Sequence, residues 1–469
     1  MGNNGKNEFR MITLFFDIIV LIIACCLVCK PRYGVPLYLM SLILVPYFVR
    51  FIVGPVSVAA IDVFNLAIVA SFLFDYKKIL RDVPKWLRKY AVISMGSAVV
   101  LMCLSSAVVP YAYQMKSIVK EELIGVFMVV FLFCKSFRQL KLNFFLNIFF
   151  AICLVAGLYG IFAYIIRLNP YVTALSYNYT GTDFLFSFFL DEVRGGLIGR
   201  TSGTMVHPLS WGQFWVVLIP TYFLFREKIN KCLSLGVILA GVVNVYLSGS
   251  RAALIGLVVS LLFLLPTMKL KKIVRIVLVA LLSVPLLVSV LDVSVKQVEK
   301  NPVVKFVTST LFFFDESKVS KSYVSGSSAD MRKNQFDAVL GMAERNPVAG
   351  IGYNYQYYCL ENKSVANSAL WGLESIVFKK IVEQGFAGLI VFILLILLLY
   401  HSIKIRIKEN GRKILPFVAF LMGYLVNIVM TGMQGNNYVL FLAISALYYM
   451  YLRNGPSYDS QNNPLLLAK

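Results

Sequence analysis

The sequence predicts an all-α, polytopic transmembrane helical bundle of about 12–13 spans with two long extracytoplasmic loops. Three observations predict it. Hydrophobic residues make up 59% of the 469-residue chain and the mean hydropathy is +0.76, well above the roughly 45–50% apolar usage of soluble domains. The apolar residues come in blocks of 16 to 24, and a helix needs about 20 such residues to cross the hydrocarbon core. Lys and Arg, which give a net charge of +22, gather in the short stretches between the blocks.

In chain order the candidate spans are residues 11–29, 36–53, 57–75, 91–112, 119–134, 143–167, 205–225, 232–248, 251–266, 274–291, 385–401, 414–431 and 437–452. Orientation follows from the basic loops. They carry Lys77 to Lys89, then Lys135, Arg138 and Lys141, then Arg226, Lys228 and Lys231, then Lys269 to Arg275, then Lys404 to Lys413. All five belong in the cytoplasm, and an even number of spans separates each from the next. Residues 168–204 and 292–375 then lie on the opposite side, the second with nearly balanced acidic and basic residues. Thirteen full spans would put the N-terminus outside despite Lys6 and Arg10, so one early segment is expected to be re-entrant or miscounted. Residues 1–453 read as a single transmembrane domain and 454–469 as a polar tail.

Other classes fit poorly. The positive charge does not read as a nucleic-acid surface, because aromatic and basic residues are not interleaved as RNA binding needs. Seven of the eight cysteines lie in or at the ends of apolar blocks, leaving Cys359 alone in a long loop, so no disulfide framework follows. Cys26 and Cys29 have no further ligands beside them, and no metal or other cofactor is expected. The first block is too long for a signal-peptide core and is expected to stay in the mature protein. In the second long loop, Met331, Phe336, Val339, Leu340 and Met342 recur at helical spacing, predicting an amphipathic helix over 330–346 that Pro347 ends.

Charge at membrane depth is costly and should face a cavity or a partner. Arg251, after Ser248, Gly249 and Ser250, sits at the outer mouth of a span, where it can grip a phosphate or snorkel to the interface. Arg194 and Arg200 precede Ser202, Gly203, Thr204 and His207, polar groups gathered where a helix begins, a natural anion site. His207 is either a general base or a hydrogen-bonded structural residue before Pro208. Arg332, on the amphipathic helix, can reach a diphosphate or lipid headgroups. Glu374, at a polar-to-apolar junction, can take a proton from a sugar hydroxyl or simply meet a helix dipole. Together these residues point to an anionic, membrane-borne substrate, such as a sugar linked to a polyprenyl diphosphate.

The run Arg200, Ser202, Gly203, Thr204, the pair Ser250–Arg251, Arg332 before Asn346-Pro347-x-x-Gly350-x-Gly352, and Glu383-x-Gly385 resemble, in matching order, the O-antigen ligase and polymerase superfamily of bacterial envelope enzymes. The resemblance covers about Val193 to Leu389. Many ligases of that family carry His-Asn eleven residues before the last glycine, where this chain has Glu374 and Ser375; this version resembles the repeat-unit polymerases. The resemblance implies a GT-C-like membrane enzyme of the bacterial inner membrane, with its site facing the periplasm. It implies that Arg251 and Arg200, helped by Arg332, hold the diphosphate of an undecaprenyl-diphosphate-linked oligosaccharide. Glu374 takes the acceptor proton, and inverting transfer lengthens the glycan. The implied partners are that lipid, the bilayer and a polysaccharide chain-length regulator. A ligase moving the finished glycan to lipid A core or protein stays open, as does a flippase. A flippase usually shows internal repeats and charge deep in its spans, whereas here no repeat is visible and the charge sits at one face.

Overall fold

The computed structural model describes residues 3–46, 48–53, 56–106, 108–134, 137, 139–180, 193–194, 197–198, 200–267, 329–362 and 373–454. The candidate span at 274–291, the basic loop at 269–275 and the tail at 455–469 lie outside the described residues.

The chain is an all-α polytopic membrane fold. Its first helices are α1 (Asn3–Cys29) and α2 (Pro31–Leu44), followed by a hairpin of β1 (Arg50–Val53) and β2 (Val56–Ala59), then α3 (Ala60–Asp82) and α4 (Lys85–Leu104). Next come α5 (Tyr111–Ser117), a π turn (Ile118–Leu123), α6 (Ile124–Phe131), α7 (Leu142–Ile166) and α8 (Pro170–Thr180). A two-residue hairpin, β3 (Val193–Arg194) with β4 (Leu197–Ile198), precedes α9 (Pro208–Phe225), α10 (Lys231–Leu247) and α11 (Arg251–Leu264). The last part holds α12 (Ala329–Ala343), α13 (Tyr355–Glu361), α14 (Ile376–Glu409), α15 (Leu415–Thr431) and α16 (Asn437–Asn454).

Among the described residues, α4, α7 and α14 are long and apolar enough to cross a membrane, and α1, α10, α11 and α15 contribute shorter apolar helices. The helices pack around α9, whose residues from Ser210 to Pro220 are all buried, with Trp211, Phe214 and Trp215 at its centre. A helix apolar all round belongs in the middle of such a bundle. α10, α11, α15 and α16 pack against it, and α7 lies outside α10. On the outside, Leu158, Phe162 and Ile165 of α7 and Ile390, Ile393 and Leu397 of α14 stay exposed, as a face turned to lipid requires.

Two sequence expectations change. The span expected at 36–53 is the 14-residue helix α2 followed by a strand. Pro46 biases the preceding Val45 away from helix, and Val45 is indeed extended (φ −102°, ψ 106°). A 14-residue helix reaches about 21 Å, short of the hydrocarbon core. Its last carbonyls find other donors: Thr204 Oγ1 donates to Ile43 O at 2.8 Å, and the Tyr171 hydroxyl donates to Leu44 O. The span expected at 385–401 is instead longer, because α14 starts at Ile376 and runs through a kink at Gly385. The amphipathic helix expected at 330–346 is present as α12.

Among the described residues, the basic loops after α3, α9 and α14 and the start of α7 meet at one end of the bundle. Arg412, after α14, lies 2.9 Å from Glu227, after α9, and both bond the Tyr451 hydroxyl of α16. Burial pushes the Glu227 carboxyl up, but the Tyr451 hydrogen bond and the Arg412 charge more than reverse this and hold it below its ordinary value. Asn147 Nδ2 donates to Lys228 O at 3.1 Å, and Arg453 Nη1 donates to Asp82 O at 3.0 Å. α9 starts at the opposite end, where the other polar residues collect.

Candidate active site

The Arg200–Thr204 run is pinned from three sides. Thr201 N donates to Leu247 O at 3.0 Å and Thr201 Oγ1 to Gly160 O at 3.0 Å. Asn169 Nδ2, at the head of α8, donates to Gly203 O at 2.8 Å and reaches Ser202 Oγ at 3.3 Å. Arg200 is 1% exposed, and its Nε donates to Ser248 O at 2.8 Å. Gly249 makes this possible. Its φ of +61° suits glycine, and a Cβ there would stand 3.1 Å from both Cγ and Nε of Arg200. Ser250 then caps α11 by accepting from Ala253 N at 3.2 Å, and Arg251 is the first residue of that helix, partly exposed. Arg200 and Arg251 thus belong to one corner, between α10 and α11.

A second cluster forms around α12 and α14. Arg332, in the first turn of α12, places Nη2 3.7 Å from Glu374 Oε2 and 3.2 Å from Met430 O, a carbonyl in the last turn of α15. That helix end carries partial negative charge and favours a cation. Glu374 stands just before Ser375, whose Oγ caps α14 by accepting from Val377 N at 3.2 Å. Both Arg332 and Glu374 keep part of their side chains open, at 27% and 22%.

Backbone interlocking sets the position of this cluster. At Gly385 (φ 63°, ψ −170°) α14 breaks. The Asn346–Gly352 turn supplies the bonds the break forfeits: Ile351 N donates to Val382 O at 2.9 Å and Gly352 N to Glu383 O at 3.2 Å, while Phe386 N donates to Pro347 O at 2.8 Å and Ala387 N to Val348 O at 3.2 Å. Asn346 holds the turn, accepting from Ala349 N at 3.0 Å and donating to Leu104 O at 2.8 Å. The two glycine positions face each other; a Cβ on Gly350 would lie 2.6 Å from Gly385 N, and one on Gly385 2.3 Å from Val348 O. The Asn-Pro-x-x-Gly-x-Gly turn and the Glu-x-Gly step are therefore two halves of one joint. Glu383 in that step is 2% exposed.

The start of α9 links the clusters. Gln213, fully buried, donates to Asn427 Oδ1 at 2.6 Å and to Gly432 O at 3.0 Å, and accepts from Gln434 N at 3.0 Å. Gly432 lies under the Glu374 carbonyl, since a Cβ there would be 3.0 Å from it. One residue before Gln213, Gly212 packs against Ser248 and Ser250. One helix start thereby touches the Arg200–Arg251 corner on one side and the turn beneath Glu374 on the other.

The structure gathers Arg200, Ser250, Arg251, Arg332 and Glu374 at one end of the bundle. Arg194 is in β3, paired with Leu197. His207 is the N-cap of α9, and its Nδ1 accepts from Leu209 N at 3.0 Å, the hydrogen-bonded reading of that residue. Among the described residues, no three His, Cys, Asp or Glu side chains are grouped as metal ligands would be. Sequence reading passed over Gln213, Asn244 and Asn427, which are fully buried amides in apolar helices. A polar residue inside an apolar block was the available signal.

Fold and site define a polytopic membrane protein with cationic side chains and a carboxylate collected at one end of the bundle. Residues 235–393 match the family model described as O-antigen ligase. That segment, about a third of the chain, is what is similar to the O-antigen ligase family. The matched segment includes Ser250, Arg251, Arg332, the joint at Gly385 and Glu374, while the Arg200 run precedes it. No curated protein matches the chain.

Proposed function

We propose that this protein polymerises undecaprenyl-diphosphate-linked oligosaccharide repeat units of O-antigen, capsule or exopolysaccharide at the periplasmic face of the inner membrane. The observation that carries the reading is the carboxylate of Glu374, ion-paired with Arg332 and joined through Gln213 to the Arg200–Arg251 corner. In this reading a hydroxyl of the acceptor sugar attacks the anomeric carbon of the donor. The bond from that carbon to the diphosphate oxygen breaks with inversion, and the hydroxyl proton passes to Glu374. Arg251 binds the departing diphosphate, and the buried charge of Arg200 adds to the favourable potential at that corner, so guanidinium groups carry the leaving group's charge without a metal ion. Arg332 orients the Glu374 carboxylate. Arg194, Ser250 and His207 line the approach of the glycan, and a chain-length regulator is the expected protein partner.

The test is to incubate the purified protein with a synthetic lipid-linked repeat unit alone. A ladder of products is expected; its absence, with transfer to lipid A core or to protein when these are added, would establish the ligase instead. The family description favours that second reading; Glu374 in place of a histidine favours the first. Movement of the lipid across vesicles without any glycan transfer would establish a flippase.

A further inference from the structure

At the basic end of the bundle, a cavity of about 520 Å³ opens between the α3–α4 bend and the last turns of α14 and α16. That volume is within the range of small-molecule sites, roughly 300–1,000 Å³. Five cationic side chains line it against two carboxylates, Asp82 and Glu409. Three of the five are already committed to the fold. Arg406 Nη1 pairs with Glu409 Oε2 at 2.7 Å, and its Nε donates to the Tyr449 hydroxyl at 3.2 Å. Arg453 Nη1 donates to Asp82 O at 3.0 Å, and Arg88 donates to the carbonyls of Val83 and Leu80, the last turn of α3. Arg81 and Lys85 differ: both are exposed, and among the described residues neither has a hydrogen bond or an ion pair.

Two further donors stand beside them. Pro84, Lys85 and Trp86, the start of α4, all line the cavity, and no side chain caps that helix at Pro84. Its first N–H groups and the positive end of its dipole are therefore left for an anion. Trp86 is 9% exposed and its ring packs on Tyr449 at 5.3 Å, yet among the described residues its Nε1, a group that can only donate, has no acceptor. Two cations, an uncapped helix start and a buried N–H without an acceptor together define a site for a phosphate.

The mouth of the cavity shows where that phosphate comes from. Ile405 lines it and is itself 44% exposed. Ile393, Leu397, His401 and Ile405 recur every four residues on α14, and all are exposed, so the cavity opens onto the face of α14 that is turned to lipid. Basic pockets between membrane helices take the headgroups of anionic lipids. We propose that this cavity binds an anionic phospholipid, its headgroup held among Arg81, Lys85, Trp86 and the start of α4, and its acyl chains lying along the exposed face of α14. The site is at the far end of α14 from Glu374 and does not depend on which glycan transfer the protein performs. A bound headgroup would tie the α3–α4 bend to the ends of α14 and α16.

Native mass spectrometry of the purified full-length protein, titrated with phosphatidylglycerol, tests this together with thermal unfolding in detergent. R81Q/K85Q should weaken the tightest-bound lipid at least about tenfold, as the loss of two basic groups at a lipid phosphate implies. R81K/K85R should keep it, and so should K404Q/K408Q, which removes the same charge from exposed positions on α14 that do not line the cavity. Trp86→Phe, which keeps the ring and removes the N–H, should weaken it as well. Phosphatidylglycerol should raise the melting temperature of the wild type and of K404Q/K408Q, and leave that of R81Q/K85Q unchanged. Equal affinity in R81Q/K85Q and wild type would overturn the proposal. Equal weakening by K404Q/K408Q would also overturn it, reducing the effect to general attraction between a basic surface and lipid. Displacement of the lipid by an equal concentration of inorganic phosphate would overturn it in favour of a water-soluble phosphate ligand. Should R81Q/K85Q not fold, R81Q and K85Q singly are read in the same way.

Discussion

The guanidinium of Arg332 lies 3.7 Å from the carboxylate of Glu374, and the same nitrogen donates to the carbonyl of Met430 at 3.2 Å. A carboxylate reached by one side of a guanidinium, and anchored by that guanidinium to a helix end, is held in direction while keeping an open oxygen for another partner. Such an arrangement suits a proton acceptor.

Glu374→Gln keeps the shape and removes the acceptor. It should lower the rate of chain elongation by about 10²–10⁴-fold, the range that a positioned general base contributes, with the protein still folded and inserted. Arg332→Gln should lower elongation less, because the carboxylate remains. Band densities in the ladder assay provide the measurement, and an unchanged Glu374→Gln rate would remove the residue from the mechanism.

The two readings of His207 separate on a pair of variants. As an N-cap, its Nδ1 can be replaced by the side-chain oxygen of asparagine, so His207→Asn should keep elongation within about threefold, while His207→Ala should destabilise α9 by about 1 kcal/mol. A general base would lose activity in both variants alike. Thermal unfolding in detergent and the ladder assay, run side by side, distinguish them.

Gly385 occupies backbone angles that other residues rarely enter, and a Cβ there would strike the facing turn. Gly385→Ala should cost at least about 1–3 kcal/mol from the backbone alone, seen as a lower melting temperature. Elongation should fall with it, because the joint positions both α12 and the start of α14.

At the basic end, Glu227 gains from Arg412 and Tyr451 only when ionised. Its folded value is depressed, so its contribution is fully present above the ordinary carboxylate value of 4.5 and is lost as pH falls through the folded value. The pair is half exposed, so Glu227→Gln should cost only a few tenths to about 1 kcal/mol at pH 7. The melting difference between Glu227→Gln and wild type should shrink as the pH is lowered below 4.5; a difference that did not change with pH would mean the carboxylate is not responsible.

The long apolar helices were legible because a bilayer demands unbroken runs, and the runs at 143–167 and 232–248 match α7 and α10 within a residue or two. The segment after Leu44 was not, since Arg50–Val53 and Val56–Ala59 are as apolar as a span, and only Pro46 and the Gly54–Pro55 pair signalled a break. Arg251, Arg332 and Glu374 could be picked out as costly charges near apolar blocks. Their joining through Gln213 could not, because a buried amide in a span declares that it needs partners without naming them. The glycines at 350, 352 and 385 were visible as a motif, but that they form one joint depends on backbone bonds between distant segments, which no local pattern records.

That joint is made from main-chain groups, and side chains enter it mainly through the absence of a Cβ at its glycines. A loop fastened in this way does not depend on the chemistry of the residues it displays. On the polymerase proposal, the faces of α12 and of the first turns of α14 can be rewritten for a different sugar or linkage while Arg332 and Glu374 keep their places.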